Sequence, residues 1–573
     1  MSKRVVVIGA VALGPKAACR AKRVDPSIEI TMIDRDEVIS YGGCGIPYFV
    51  SGDVADIDGL RSTSAHVIRD SSFFRNAKGV DVLTLTEAIN IDRDAKTVRV
   101  RDLKNGIEKD LEYDNLVLAT GASPIVPPLE GVDLPGVSVV AIPKQAEDIK
   151  NRISKGHVDR AVVIGGGAIG IEMAEALSDL WDIDTTLVEM ADQLLPTAFG
   201  REMSLILKNH MEEKGIRVLL SERVTRITGD PETGVRGVDI GQGEIPCDLV
   251  ILSVGIRPNG GLASDAGLDI GPCGGVLVDR YMRTSDPDIY AGGDCVEIPH
   301  LVGNESVHMP LGSLANRQGR VIGTNITGGS AEFNGSVGTF CIKVFDLGAA
   351  RAGITCDQAL KAGFDPVYSV CAQADRAHFY PTQELMYMKL IADRKTRQVL
   401  GIEAVGYSGD AVKARVDAVA VLLPHKVLLD EICNLETAYS PPWGSAMDII
   451  NNAANTLENI MAGWNIPVDV IDFIPEFEKG DIRVLDVRSA AQSTPFVDKF
   501  GKDRWQNIPQ EELASRIDEV NNGEDQLYLV CGTGPRSYEA HLLLREKGIT
   551  DTRNVQGGMG IIKVSFPGFA PEK

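Results

Sequence analysis

The chain has 573 residues, 44% hydrophobic and 24% charged, with a formal net charge of -22. That length is too great for one core, and at ~100–200 residues per domain it implies roughly three to five units. The acidic balance repels polyanions and argues against nucleic acid as a partner, and no apolar run approaches the ~20 residues a helix needs to cross a bilayer.

The chain opens on Met1-Ser2-Lys3-Arg4 and the short apolar run Val5-Val6-Val7-Ile8, which could mimic a signal peptide. The run ends in a glycine turn and a basic amphipathic helix, without a small-residue cleavage site, so a first β-strand is expected. The loop after it runs from Gly9 to Gly14 and keeps the outer glycines of a dinucleotide fingerprint, with Val11 at the middle position. Asp34, 20 residues after Gly14 and closing the strand 28–33, is the ribose-binding acid such a unit requires. On the intervening helix Lys16, Arg20 and Arg23 share roughly one face. Next comes Ser40-Tyr41-Gly42-Gly43-Cys44-Gly45-Ile46-Pro47, a thiol beside a helix start, where the thiolate is favoured. Ala119-Thr120-Gly121 then follows the strand 116–118.

A second strand, 160–164, runs into Gly165-Gly166-Gly167-Ala168-Ile169-Gly170 and a further helix. Gly165 makes the turn, Gly167 lets backbone N–H groups approach a pyrophosphate, and Gly170 allows close packing of helix on strand. Glu189, 19 residues after Gly170, binds a ribose diol and repels a 2′-phosphate, so NADH is expected over NADPH. Tyr290-Ala291-Gly292-Gly293-Asp294 closes this part. Up to about residue 325 short β-branched runs alternate with amphipathic helices, the pattern of an α/β fold with largely parallel sheets.

After about residue 330 the pattern changes to Gly-punctuated strands such as 339–344, with helical stretches near 411–424 and 445–461, an α+β unit. A connector with Trp464, Pro467 and Pro475 leads to a last strand–helix segment at about 468–573. There Tyr528-Leu529-Val530 runs into Cys531-Gly532-Thr533-Gly534-Pro535-Arg536 and a helix, so backbone N–H groups at a helix N-terminus surround a thiol. Such a nest stabilises a thiolate or persulfide anion, and Arg536 adds positive charge. A phosphatase-like loop also places Cys and Arg around an anion, but six residues from Cys531 to Arg536 fit sulfur better. The ten cysteines form no CxxC pair, and their sparse spread fits the reduced thiols of the cytoplasm.

Two glycine-loop units with an ATG segment and a late GGD segment resemble the FAD- and NAD(P)H-dependent pyridine nucleotide-disulfide oxidoreductases. The resemblance implies two Rossmann-like domains, residues 1–150 with 245–328 for FAD and 151–244 for NADH, then a dimerisation domain at 329–463. It implies that Asp294 meets the flavin and that the chain acts as a homodimer. Most of the family carries a CxxxxC pair; here Ile39 and Phe49 stand where a second cysteine would be. That resembles the single-cysteine branch, which includes coenzyme A disulfide reductases, NADH oxidases and NADH peroxidases. In coenzyme A-binding relatives, residues matching Lys16, Arg20, Arg23 and Ser40 bind substrate. Ala12 stands where the peroxidases have histidine, and Gly43 where coenzyme A-type relatives have asparagine. Tyr380 and Tyr439 match tyrosines that reach the partner subunit's redox cysteine and donate a proton to the leaving thiol.

The terminal segment, 468–573, resembles rhodanese through Asp486-Val487-Arg488, Asn507-Ile508-Pro509, the Cys531 loop and Gln556-Gly557-Gly558. Together the resemblances imply an NADH-dependent flavoprotein that reduces small persulfides, polysulfides or disulfides at Cys44, with Cys531 carrying sulfane sulfur and coenzyme A as a further ligand. Metal is not expected. Two other readings stay open: an NADH oxidase cycling through a Cys44 sulfenic acid, and a sulfur carrier or sensor acting through Cys531.

Overall fold

The computed structural model describes residues 2–480, 482–520 and 526–571. They form two compact units, residues 1–190 with 215–336, and residues 191–214 with 337–573.

In the first unit the opening apolar run is the strand Arg4–Ile8, at the centre of a five-stranded sheet. The order is Ile289–Ala291, Asn115–Leu118, Arg4–Ile8, Glu29–Ile33, Asp81–Leu83. Every neighbouring pair is parallel, and Val5 to Ile8 are buried, as both faces of such a sheet require. The helix Leu13–Val24 follows, and the helix Gly312–Asn325 lies close against it. That closeness needs glycine, because a Cβ at Gly323 would stand 2.4 Å from the Ala17 carbonyl oxygen. A second parallel sheet repeats the plan, with the order Arg217–Leu219, Asp184–Val188, Arg160–Ile164, Leu249–Leu252, Val137–Val139. In both sheets the chain leaves the first strand at a point where strand order reverses, and the crevice beyond the carboxyl ends there is where open α/β sheets bind ligands.

The second unit holds an antiparallel sheet ordered Phe340–Val344, Leu347–Gly353, Val399–Gly406, Leu385–Asp393, Pro366–Ala374. The helix Arg201–Glu213 belongs to this unit. Its Glu202 carboxylate takes a 2.6 Å bond from Lys389 Nζ, with both side chains almost wholly buried. The last segment forms a parallel sheet ordered Pro467–Val468, Thr552–Val555, Gln526–Val530, Ile482–Asp486, Trp505–Asn507. Its core is aromatic: Phe473, Phe477, Trp505 and Tyr528 are all buried. Pro475, expected in a connector, lies inside the helix Val470–Lys479. Phe473 and Phe477 bury one face of that helix, and this burial outweighs the single backbone bond a proline forgoes. Among the described residues no helix is long and apolar enough to cross a membrane.

Candidate functional site

Both glycine loops have the close geometry their spacing implies. A Cβ on Gly9 would meet the Ala119 carbonyl oxygen at 2.1 Å, and one on Gly14 would meet the Gly9 carbonyl oxygen at 1.9 Å. In the second loop Gly165, at φ +111°, would put a Cβ 2.4 Å from the Ser253 carbonyl oxygen, and Gly170 would put one 1.9 Å from that of Gly165. Gly167 differs, since a Cβ there meets nothing within 4 Å. It leaves open space at the N-terminus of the helix Ala168–Ser178, as a pyrophosphate on that end requires. The Glu189 carboxylate accepts the Gly166 N–H at 2.5 Å, which places the acid at the same loop.

Beyond the first sheet lies a cavity of about 570 Å³ lined by Gly9, Asp34, Ala119, Thr120, Gly121 and Asp294, among others. One Asp34 oxygen accepts the Ala10 N–H at 2.7 Å and the other the Asp36 N–H at 3.0 Å. Burial pushes the Asp34 carboxyl up, while those two N–H groups pull it back. Burial also raises Asp294. The Thr120 hydroxyl and carbonyl both bond Asn259, at 2.9 and 2.8 Å, and so fix the ATG turn. A cavity of this volume with a ribose-type acid, a glycine turn and a buried aspartate fits a dinucleotide such as FAD.

A second cavity, of about 580 Å³, adjoins the first, and Val11, Ala12, Tyr41 and Gly43 line both. Cys44 opens into it from the short helical turn Gly43–Gly45, just ahead of the helix Ile46–Ser51. Ser40, held at φ +51° by a 2.8 Å bond from its N–H to the Ala10 carbonyl, lines it too. Lys16, Lys22, Arg23, Arg69 and Lys78 supply five cations to its wall, and among the described residues the lining contains no Asp or Glu. In a chain of net charge -22 that is a strong local inversion.

Arg20 requires a correction. It does not line this cavity; its Nε donates to Thr324 Oγ1 at 3.0 Å instead. At about 100° per residue the cavity-facing side of the helix is centred on Cys19, so Lys16, Lys22 and Arg23 fall toward the cavity and Arg20 turns toward the neighbouring helix Gly312–Asn325. Lys22, Arg69 and Lys78 were missed by the sequence reading. Lys22 was within reach of a full helical-wheel count, but Arg69 and Lys78 lie in a segment without a motif and join the cavity only by folding. The Arg69 guanidinium donates to the Arg61 and Leu60 carbonyls at 3.0 and 3.1 Å, which fixes its charge at the wall.

All ten cysteines are free, and Cys19 shares the cavity with Cys44. Cys44 keeps part of its surface open to solvent, yet desolvation pushes its thiol up, and Glu172 and Asp294 add to the rise. The helix start is thus opposed by burial and by two nearby carboxylates.

In the second unit the segments of Tyr380 and Tyr439 are joined by a 3.2 Å bond from the Ala377 N–H to the Pro441 carbonyl. Tyr380 is half-buried and Tyr439 exposed, beside other exposed apolar side chains at Phe379, Trp443 and Met447. Further along, Cys531 directly follows the strand Gln526–Val530 and is buried. Its sulfur accepts the Gly534 N–H at 3.0 Å and lies 3.3 Å from the Ser537 hydroxyl, a contact the sequence reading did not name. Arg536 folds over the loop, its Nη2 3.4 Å from where a Gly532 Cβ would be. Asp486 holds Arg488 with both oxygens and accepts the Trp505 Nε1–H at 3.1 Å, so these landmarks serve the core.

The profile of the pyridine nucleotide-disulphide oxidoreductases matches residues 3–318, and that of their dimerisation domain matches residues 339–448. An NAD(P)H coenzyme A polysulfide/persulfide reductase of Pyrococcus horikoshii is 34% identical over 458 residues, 80% of this chain and 99% of that protein. Among solved structures, a NAD-dependent persulfide reductase from A. fulgidus is 40% identical with a TM-score of 0.92, over 97% of this chain and 99% of that one. The structure titled reduced Bacillus anthracis CoADR-RHD is 30% identical with a TM-score of 0.89, over 100% of both chains. The chain therefore belongs to the pyridine nucleotide-disulphide oxidoreductase family, enzymes that work with FAD and NAD(P)H.

Proposed function

We propose that this enzyme uses NADH to reduce a persulfide, polysulfide or coenzyme A-type disulfide at Cys44, and that its last segment is a rhodanese domain carrying sulfane sulfur on Cys531. The observation that carries the reading is the cavity of five cations and no carboxylate that opens at Cys44. A neutral or cationic thiol gains nothing from such a wall, whereas a chain of phosphates gains from every lysine and arginine in it.

FAD, when bound, supplies two electrons drawn from NADH. Asp34, Ala119 to Gly121 and Asp294 would hold it, and the Gly165 to Gly170 loop with Glu189 would hold the nicotinamide nucleotide. Lys16, Arg23 and Arg69 would orient the substrate's anionic end so that its sulfur bond lies at Cys44. For a persulfide R–S–SH, the Cys44 thiolate attacks the sulfur bonded to R, the S–S bond breaks, and sulfide leaves with the bonding electron pair. The resulting Cys44–S–S–R bond takes up two electrons and a proton, releasing R–SH and restoring the thiolate. We read Tyr380 and Tyr439, from a partner subunit, as the proton donors to the leaving thiol. We read residues 1–150 with 245–328, 151–244, 329–463 and 468–573 as the FAD, NADH, dimerisation and sulfur-carrying segments.

The test is an anaerobic NADH titration of the flavin-loaded enzyme against coenzyme A persulfide and a neutral alkyl persulfide. Faster turnover of the phosphorylated substrate, lost in Cys44→Ser, supports the reading. Equal rates for both substrates, or turnover that survives Cys44→Ser, would overturn it.

A further inference from the structure

The floor beneath Cys531 is not made by its own loop. The Met559 N–H donates to the Cys531 carbonyl at 2.9 Å, and the Gly560 N–H to the Gly532 carbonyl at 2.8 Å. Both donors open the helix Gly558–Ser565. A Cβ on Gly558 would stand 2.5 Å from the Cys531 carbonyl oxygen, so the contact is backbone on backbone. Wherever the start of this helix goes, the Cys531–Gly532 peptide goes with it.

The chain leading into that helix start is held by the sheet, where the Gln556 N–H donates to the Val468 carbonyl at 3.0 Å, and by the Gln556 side chain, which is buried two residues ahead of the helix. Its Oε1 accepts the Val370 N–H at 2.8 Å, and its Nε2 donates to Asp469 Oδ1 at 2.8 Å. Val370 lies on Pro366–Ala374, the outermost strand of the antiparallel sheet, and the N–H that Gln556 takes is an unpaired edge donor. The other Asp469 oxygen accepts the Tyr368 hydroxyl from the same strand. The far end of the helix is held as well, because Asn209 Nδ2 donates to the Val564 and Ser565 carbonyls at 2.8 and 2.6 Å.

We propose that Gln556 is a positioning residue for Cys531: its amide, held between the Val370 N–H and the Asp469 carboxylate, sets the helix start on which the Cys531 peptide rests. The proposal rests on Cys531 being a sulfur acceptor. In that step the Cys531 thiolate attacks the sulfane sulfur of a donor such as thiosulfate, a Cys–S–S⁻ persulfide forms, and sulfite leaves with the electron pair of the broken S–S bond. The Gly534 N–H must still point at the sulfur as the charge moves outward, and a tilted Cys531–Gly532 peptide misdirects it.

The test uses the full-length, flavin-loaded chain, with sulfur transfer from thiosulfate to cyanide as the assay and Cys531 persulfide detected by intact mass. Gln556→Met should lower kcat about tenfold with KM nearly unchanged, because the misplacement acts on the reacting geometry and not on donor binding. The swap Gln556→Glu with Asp469→Asn reverses which partner donates and keeps every bond; it should recover most of the lost rate, whereas Gln556→Glu alone, facing Asp469 with like charge, should not. NADH-dependent reduction at Cys44 should be unchanged in all variants, which reports folding. If Gln556→Met fails to fold, the swap measured against Gln556→Glu alone decides the matter. Wild-type rates in Gln556→Met, or a swap no better than Gln556→Glu, would overturn the positioning role while leaving the sulfur-carrying reading intact. A wild-type protein that loads no sulfur on Cys531 would overturn both.

Discussion

Replacing Lys389 with Met should loosen the helix Arg201–Glu213 more than any surface change on it. Lys389 Nζ lies 2.6 Å from Glu202, with side chains only 4% and 8% exposed. A second carboxylate, Glu403, accepts the Gly200 N–H at 2.8 Å beside them. Burial alone would push the Lys389 ammonium down, but Glu202 and Glu403 outweigh it and hold it above its ordinary range. Removing that cation leaves two carboxylates facing each other out of water, and breaking a buried pair from one side costs about 3–5 kcal/mol. At about 1.4 kcal/mol per decade, amide exchange in 201–213 should accelerate by roughly a hundredfold to several thousandfold. The sign with pH follows from the orphaned acids. Burial already pushes the Glu403 carboxyl up and the Lys389 cation pulls it back; without that cation it rises further above its unfolded value, so the variant is most stable when Glu403 is protonated and loses stability as pH rises through the raised value. The deficit should therefore shrink at pH ~5 relative to pH ~8. Hydrogen exchange read by mass spectrometry, on Lys389→Met and on the double variant with Glu202→Met, provides the assay. The double variant should recover much of the loss, because an apolar pair of similar volume replaces a buried ion pair at little cost. Unchanged exchange in Lys389→Met, or a loss equal at both pH values, would refute the reasoning.

Three further outcomes follow from the first unit. Arg69→Ala should raise KM for a phosphorylated thiol substrate about tenfold while leaving turnover of inorganic polysulfide nearly unchanged, as loss of a charge-assisted contact predicts; a uniform loss with both substrates would contradict the cavity reading. Glu189→Ala removes the acid at the Gly166 N–H and should shift the NADPH to NADH ratio of kcat/KM upward by about tenfold; an unchanged ratio would contradict the assignment. Burial, with Glu175 nearby, pushes the Glu172 carboxyl to about 7, and that carboxylate raises the Cys44 thiol. Glu172 becomes anionic as pH rises through that value and then opposes ionisation of Cys44, so Glu172→Gln should lower the apparent pKa in an alkylation-rate profile, and identical profiles would exclude the coupling.

The local pattern of the chain determined the parts whose chemistry is written in consecutive residues. The outer glycines of the two loops, Gly9 and Gly14, Gly165 and Gly170, announce themselves because a backbone must approach within contact distance of another backbone, and only glycine permits it. Asp34, Glu189 and Cys531 follow from fixed distances along strand and helix, which are properties of the backbone alone. The five-cation wall was half legible: Lys16 and Arg23 share a helix, but Arg20 fell on the wrong side, because spacing gives relative angle and not the direction in which the cavity lies. Arg69 and Lys78 arrive from a segment without periodicity, and the partners of Glu202, Asp469 and Gln556 lie between 87 and 187 residues away. Only folding pairs such groups, since the low dielectric that makes a lone buried charge costly exists only once the chain has closed around it.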